Sequence, residues 1–192
     1  MRQRHIRFIA EIGIFSAVGL ALDFFASLYS SFIWELGGSI SLVLVPIVIM
    51  AFRWGLKGGL VTGFIIGTVQ LLGNVKGVIE ITQILLDYPL AFMSAGIAGI
   101  FAKKIATKEA EAKSFYMVLG IVLAGTLRFL FHFVSGVIFF AIYTPDGFDP
   151  VTWSIVYNGG YMVPTTVLTI IVVLIMQKQA PHLLAFESVE TE

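Results

Sequence analysis

Apolar residues fill six stretches of this chain, at about residues 8–29, 39–52, 58–74, 82–101, 115–142 and 153–176. A helix needs roughly 20 residues to cross a bilayer, and each stretch is read against that length. A backbone in hydrocarbon must satisfy its own hydrogen bonds, which leaves helices as the solution for segments of this kind. The expected fold is therefore an all-α membrane protein, with six transmembrane helices in a compact bundle. The second and third stretches are short, and Gly37, Gly38, Gly55, Gly58 and Gly59 punctuate them, so five spans is the competing count. Composition points the same way: 12% of residues are charged and 58% hydrophobic, against roughly 25% charged in soluble domains. The basic start MRQRHIRF followed by an apolar run superficially resembles a signal peptide. Glu11 and Asp23 interrupt that run, which favours a retained first helix.

Short cytoplasmic loops accumulate Lys and Arg, and this bias orients the chain. With the N-terminus inside, Arg2, Arg4, Arg7, Arg53, Lys57, Lys103, Lys104, Lys108, Lys113 and Lys178 all fall on the cytoplasmic side. Lys76 alone falls outside, and Arg128 lies within a span. Glu35, Glu80, Asp146 and Asp149 fall in the outer loops. An even number of spans then places both termini in the cytoplasm. Residues 1–180 are expected to form one domain, and residues 181–192, ending FESVETE, an acidic disordered tail.

Several classes of chemistry are unsupported. The chain has no cysteine, and His5, His132 and His182 lie far apart, so no metal site is expected. The GxxxxGK[ST] loop that cradles ATP is absent, so ATP-driven work would need another subunit. A formal charge of zero points to no nucleic-acid partner. No cofactor is implied.

Ionisable and polar groups at membrane depth carry the information, because they are costly there and usually bind something or pair with each other. In RFLFHFVSGVIFF, Arg128, His132, Gly136 and Phe140 recur at i+4 and form one helix stripe. One reading makes it a pocket wall with Gly136 leaving open space. The other has Arg128 paired with a membrane acid, His132 bonded to a carbonyl and Gly136 admitting a neighbouring helix. In ITQILLDYPLAF, Asp87 lies about 8 Å below the helix end if Thr82 begins the helix. Pro89 frees the carbonyl of Leu85 beside it. A salt bridge from Asp87 to Arg128 is the plainer alternative. In WSIVYNGGYMVP, Trp153 and Tyr157 sit one turn apart, Asn158 can read a heterocycle edge or bond another helix, and Pro164 frees the carbonyl of Gly160. Trp34, beside Glu35 and the Gly37-Gly38 pair, is either a lid or an interfacial anchor.

An acid (Asp87) among rings (Trp34, Tyr88, Phe140, Trp153, Tyr157) suits an organic cation, since carboxylate and ring quadrupole both attract positive charge. His132 and Asn158 add hydrogen-bonding edges. An intramembrane enzyme using Asp87 and His132 as acid and base is a competing reading, but no nucleophile motif accompanies the pair.

Taken in order, WELGGSIS, FRWGLKGGL, LLDYPLAF, RFLFHFVSGVIFF and WSIVYNGGYMVP resemble the thiamine-specific substrate-binding subunits (S-components) of energy-coupling-factor (ECF) vitamin transporters, over nearly the whole chain. The resemblance implies a six-helix bacterial cell-membrane protein that captures thiamine in an outward-facing pocket and is not itself an ATPase. Its partners would be a coupling transmembrane subunit and two ATPase subunits, with the lipid bilayer around it. Carried over, the family's acid before a tyrosine matches Asp87-Tyr88, its fifth-helix histidine and glycine match His132 and Gly136, its sixth-helix asparagine matches Asn158, and its closing tryptophan matches Trp34. Asp87 stands where some members have Glu, Phe140 where some have Trp, and Trp153 where some have Tyr. The implied roles are charge balance or a bond to the aminopyrimidine by Asp87, and stacking by Phe140 and Trp153. Arg128 is expected to steady Asp87 or Asp23, and Ala17 and Ala21 to form a small-residue face for docking the coupling subunit. The runner-up cargo is another cationic or heterocyclic vitamin.

Overall fold

The computed structural model describes residues 2–73 and 80–187. Those residues are helical with short connections, and no strand occurs among them. Five helical runs are long and apolar enough to cross a membrane. Helix α1 is Arg2–Ser30. The second run, Leu44–Gly73, is not one rod: Gly55 adopts φ 67° and ψ −163°, far from helical values. It divides the run into α2 (44–54) and α3 (56–73). Only glycine enters that backbone region without strain, and the chain doubles back there. A Cβ on Gly58 would stand 2.6 Å from the carbonyl oxygen of Met50, eight residues earlier, and one on Gly59 would stand 2.6 Å from the Ala51 Cβ. Helix α4 is Ile81–Thr107, α5 is Ala110–Phe139 and α6 is Pro150–Gln179.

Six helical limbs are thus present, but they are unequal. At 1.5 Å per residue α2 is only about 16 Å long, half of a hydrocarbon core of about 30 Å. All its residues are buried, with Leu44, Ile47, Val48, Met50, Ala51 and Phe52 at 0% exposure. A helix apolar on every side belongs at the centre of a bundle, and α2 lies there. The other limbs pack around it. Gly59, Gly63 and Gly67 on α3 face the backbone of α4 at Gly96, Phe92 and Tyr88. An added Cβ at Gly63 would collide with the Phe92 carbonyl, so the missing side chains set the α3–α4 spacing.

The polar segment KKIATKEAEAK, residues 103–113, is largely helical: α4 continues to Thr107 and α5 starts at Ala110. Asp149 caps α6 by accepting the amides of Val151 and Thr152 at 3.0 and 3.1 Å. Bonding from Thr152 holds the Asp149 carboxyl below the usual carboxylate range.

At one end of the bundle, Glu11 of α1 takes a bidentate pair from Arg53, Nε to Oε2 at 2.6 Å and Nη2 to Oε1 at 3.0 Å. Trp54 Nε1 donates to the same carboxylate at 2.6 Å and Arg7 Nε at 2.8 Å. Arg53 Nη1 then donates to the carbonyl oxygens of His182 and Ala185, and the amide of Glu187 returns a bond to the Arg53 carbonyl. This corrects the expectation of a disordered tail from residue 181. Residues 181–187 are folded over the Gly55 turn because Arg53 binds their backbone and Leu184 is buried. Residues 188–192, and residues 74–79 with Lys76, expected in an outer loop, lie outside the described residues.

Candidate functional site

At the end of the bundle opposite this ion network lies a cavity of about 420 Å³, within the range of small-molecule sites. Five helices and the connection 31–43 line it. All nine residues expected at a binding site border it. Trp34 comes from the connection; Asp87 and Tyr88 from α4; His132 and Gly136 from α5 and Phe140 from its C-cap; Trp153, Tyr157 and Asn158 from α6.

Asp87 sits in a π-helical turn, Leu86–Leu90, that contains Pro89. The wider turn absorbs the proline, whose nitrogen cannot donate, within an otherwise continuous helix. The Asp87 side chain is 16% exposed and accepts from Ser135 Oγ at 2.8 Å and from His132 Nδ1 at 3.3 Å. With Nδ1–H spent on Asp87, a neutral His132 presents Nε2 as an acceptor, and Nε2 is buried with no partner. Ser135 donates its hydrogen bond to the carboxylate rather than to the imidazole, so the trio is not arranged as an activated nucleophile.

Arg128 differs from its expected role. No ion pair within 4 Å joins it to a carboxylate among the described residues. Its guanidinium lies 3.9 Å from the centroid of the Phe92 ring, a cation–π placement, and its Nε is buried without a partner. Asp23, the other expected partner, instead accepts from Ser39 Oγ at 3.0 Å and Gln70 Nε2 at 2.8 Å. Both Arg128 and Asp23 border the cavity.

Gly136 does not open space. A Cβ there would strike Ser154 Oγ, so the glycine serves the close approach of α5 and α6. Asn158 likewise spends its amide inside the protein. Its Nδ2 donates to the Ser154 carbonyl at 3.0 Å and to Ser154 Oγ at 3.1 Å, and its Oδ1 accepts from the Tyr161 hydroxyl at 2.7 Å. A further bond from Nδ2 to the His132 carbonyl on α5, at 3.4 Å, is the helix-to-helix contact expected as one alternative for this side chain.

Sequence reasoning missed Tyr161. It is 4% exposed and central: edge-to-face with Trp34 at 6.0 Å, with His132 at 6.1 Å and with Tyr157 at 6.4 Å. The i+4 series Trp153, Tyr157, Tyr161 was the signal for it. Ser135, three residues beyond His132, was legible in the same way.

Trp34 lies over the cavity wall. Gly38, at φ +108°, passes so close to Tyr161 that a Cβ would stand 2.5 Å from Cε1. On α1, Ala17 and Ala21 are exposed on the face away from the core, whereas Phe8, Ile12, Ser16 and Gly19 are buried.

A polytopic helical bundle enclosing a ligand-sized cavity, with under-satisfied polar groups inside it, defines a membrane solute-binding protein of the transport class. The chain belongs to the thiamine transporter protein family (Thia_YuaJ), whose sequence profile matches residues 9–185. It is 37% identical over 181 residues to the thiamine transporter ThiT of Bacillus subtilis (strain 168), covering 92% of this chain and 93% of that protein. It is 32% identical over 182 residues to ThiT of Lacticaseibacillus paracasei, covering 91% and 89%. A solved structure of ThiT from Listeria monocytogenes superposes with a TM-score of 0.80 at 26% identity, covering 95% of this chain and 99% of that one. The relatives are transporters, not enzymes, and the chain is a multi-pass bacterial cell-membrane protein of that family.

Proposed function

We propose that the protein is the thiamine-capturing subunit of an ECF-type uptake transporter, taking thiamine from the outer face while partner ATPases supply the energy. The observation that carries this reading is Asp87, a carboxylate that among the described residues is held by a serine and a histidine, in a cavity walled by aromatic rings. A thiazolium cation desolvated there gains from both the carboxylate and the rings. Phe140 and Trp153 supply stacking faces, Tyr88 borders the acid, Trp34 covers the ligand, and His132 Nε2 accepts from it. Gly136 and Asn158 shape the wall, Asn158 by fixing Tyr161.

The orientation follows from charge. Arg53, Lys57, Lys104 and Lys178 lie toward the end opposite the cavity, with the start of α1 and residues 181–187, and the cytoplasmic bias of basic loops makes that the inner end. In this arrangement six limbs cross the bilayer, α2 completing its passage through the connection 31–43. Irregular backbone at that depth is acceptable because it lines the cavity.

Titration of the purified protein with thiamine, its phosphates and unrelated vitamins, followed by tryptophan fluorescence and calorimetry, tests the cargo. Saturable binding of thiamine is expected; no fluorescence change and no heat would refute the assignment. Docking is proposed at the exposed Ala17–Ala21 face. Replacing both alanines with Trp is expected to preserve thiamine binding and abolish copurification with the coupling subunit, so normal copurification would remove that face from consideration.

A further inference from the structure

The connection 31–43 is anchored at its base and held separately at its tip. At the base, the Ile40 amide donates to Ser30 Oγ at 3.3 Å, the Ser41 amide donates to Thr165 Oγ1 at 3.1 Å, and that hydroxyl donates to the Ser39 carbonyl at 3.2 Å. The tip folds on itself, with the Gly37 amide donating to the Trp34 carbonyl at 3.1 Å. Between tip and base stand Gly37 and Gly38, at φ 102° and 108°, a backbone state that glycine enters without strain.

One phenol ties the tip to α6. Tyr157 Oη accepts the Leu36 amide at 3.0 Å and donates to the Gly37 carbonyl at 2.9 Å. Its donor and one acceptor position are therefore spent on the connection, and its ring is wedged between Trp153 at 5.6 Å and Tyr161 at 6.4 Å. A neutral two-point clamp on a glycine-flanked tip is strong enough to hold it and weak enough to open.

We propose that Tyr157 is a positioning residue, the latch that holds the Trp34 segment closed over the cavity and sets how fast ligand leaves. The proposal rests on the reading that the cavity holds thiamine. It also separates Tyr157 from the aromatic residues that meet the ligand: its ring belongs to the wall, but its hydroxyl belongs to the lid. A latch acts on the closed state, so its loss raises the dissociation rate and leaves capture nearly unchanged.

The test is Tyr157→Phe in the full chain, which keeps the ring and removes both bonds. Stopped-flow fluorescence with thiamine is expected to show release about tenfold faster, with the association rate within about twofold. Hydrogen exchange of the peptide carrying the Leu36 amide, measured without ligand, is expected to speed up while the melting temperature stays at the wild-type value. Unchanged release, or unchanged exchange at Leu36, overturns the latch; so does a fall in association rate equal to the rise in release. If the wild-type protein fails to bind thiamine, the cargo assignment falls and the exchange measurement alone decides the latch.

Discussion

Two groups of ionisable side chains lie at opposite ends of the bundle, and they differ in how completely they are satisfied. At the Glu11 end, both carboxylate oxygens are occupied by Arg53, Trp54 and Arg7, and Arg53 Nη1 donates to the backbone of His182 and Ala185. In the cavity, among the described residues, Asp87 is bonded by Ser135 and His132, His132 Nε2 and Arg128 Nε have no partner, and Arg128 rests on a ring instead of an acid. Both groups are costly to bury. The saturated one returns that cost as structure, joining α1, the Gly55 turn and the C-terminal segment. The unsaturated one keeps polar capacity for a ligand to complete, which is the physical difference between a scaffold and a site.

This contrast is breakable by mutation. The largest effect is expected for Glu11→Ala, which strands the nearly buried Arg53. Thermal unfolding of the detergent-solubilised protein should reveal a loss of about 3–5 kcal/mol, with thiamine affinity of the folded fraction little changed. A variant as stable as wild type would remove the distinction. Next, Asp87→Asn should weaken thiamine binding by at least about 1.5 kcal/mol in calorimetry, the low end for a hydrogen bond to a charged group. Its ligand-free melting temperature should move by no more than about 2 °C. Equal affinity would take Asp87 out of recognition, and a large loss of stability would make it scaffold. The smallest effect is expected for Glu187→Gln. Glu187 meets Arg7, which is half exposed, at 3.1 Å, and Arg53 only at 3.6 Å. Solvent-screened pairs contribute little, so the melting temperature should again shift by at most about 2 °C, without change in binding. A shift matching that of Glu11→Ala would show that the tail, not the pair, carries the network.

Much of the architecture was legible because lipid imposes one rule on every segment. The expected start of α4 at Thr82 lies one residue from the observed Ile81, and the nine candidate residues converge on one cavity. The six-against-five ambiguity was physical. Gly55 reverses the chain and leaves α2 only half the length of a full crossing, and its role depends on a φ value that a residue name permits without requiring. The partner of Arg128 was not legible, because a guanidinium on Phe92 and one beside Asp87 satisfy the same helix periodicity. Gly136 and Asn158 were each left between a ligand and a helix contact; Ser154 meets Gly136 across the α5–α6 interface, and Asn158 reaches the His132 carbonyl on α5 at 3.4 Å. Spacing along one helix is silent about a residue on another.

By itself the sequence determined the environment, the approximate limits of the helical segments, and the side chains that share a helix face. These follow from local rules: hydrocarbon length, backbone hydrogen bonding and the 3.6-residue repeat. Tertiary structure alone decided which polar groups are saturated and which wait in the cavity, that Tyr157 grips the connection rather than facing inward with its hydroxyl, and that the C-terminal segment is folded. Those outcomes depend on distances of about 3 Å between residues far apart in the chain, and a hydrogen bond exists only where both partners arrive.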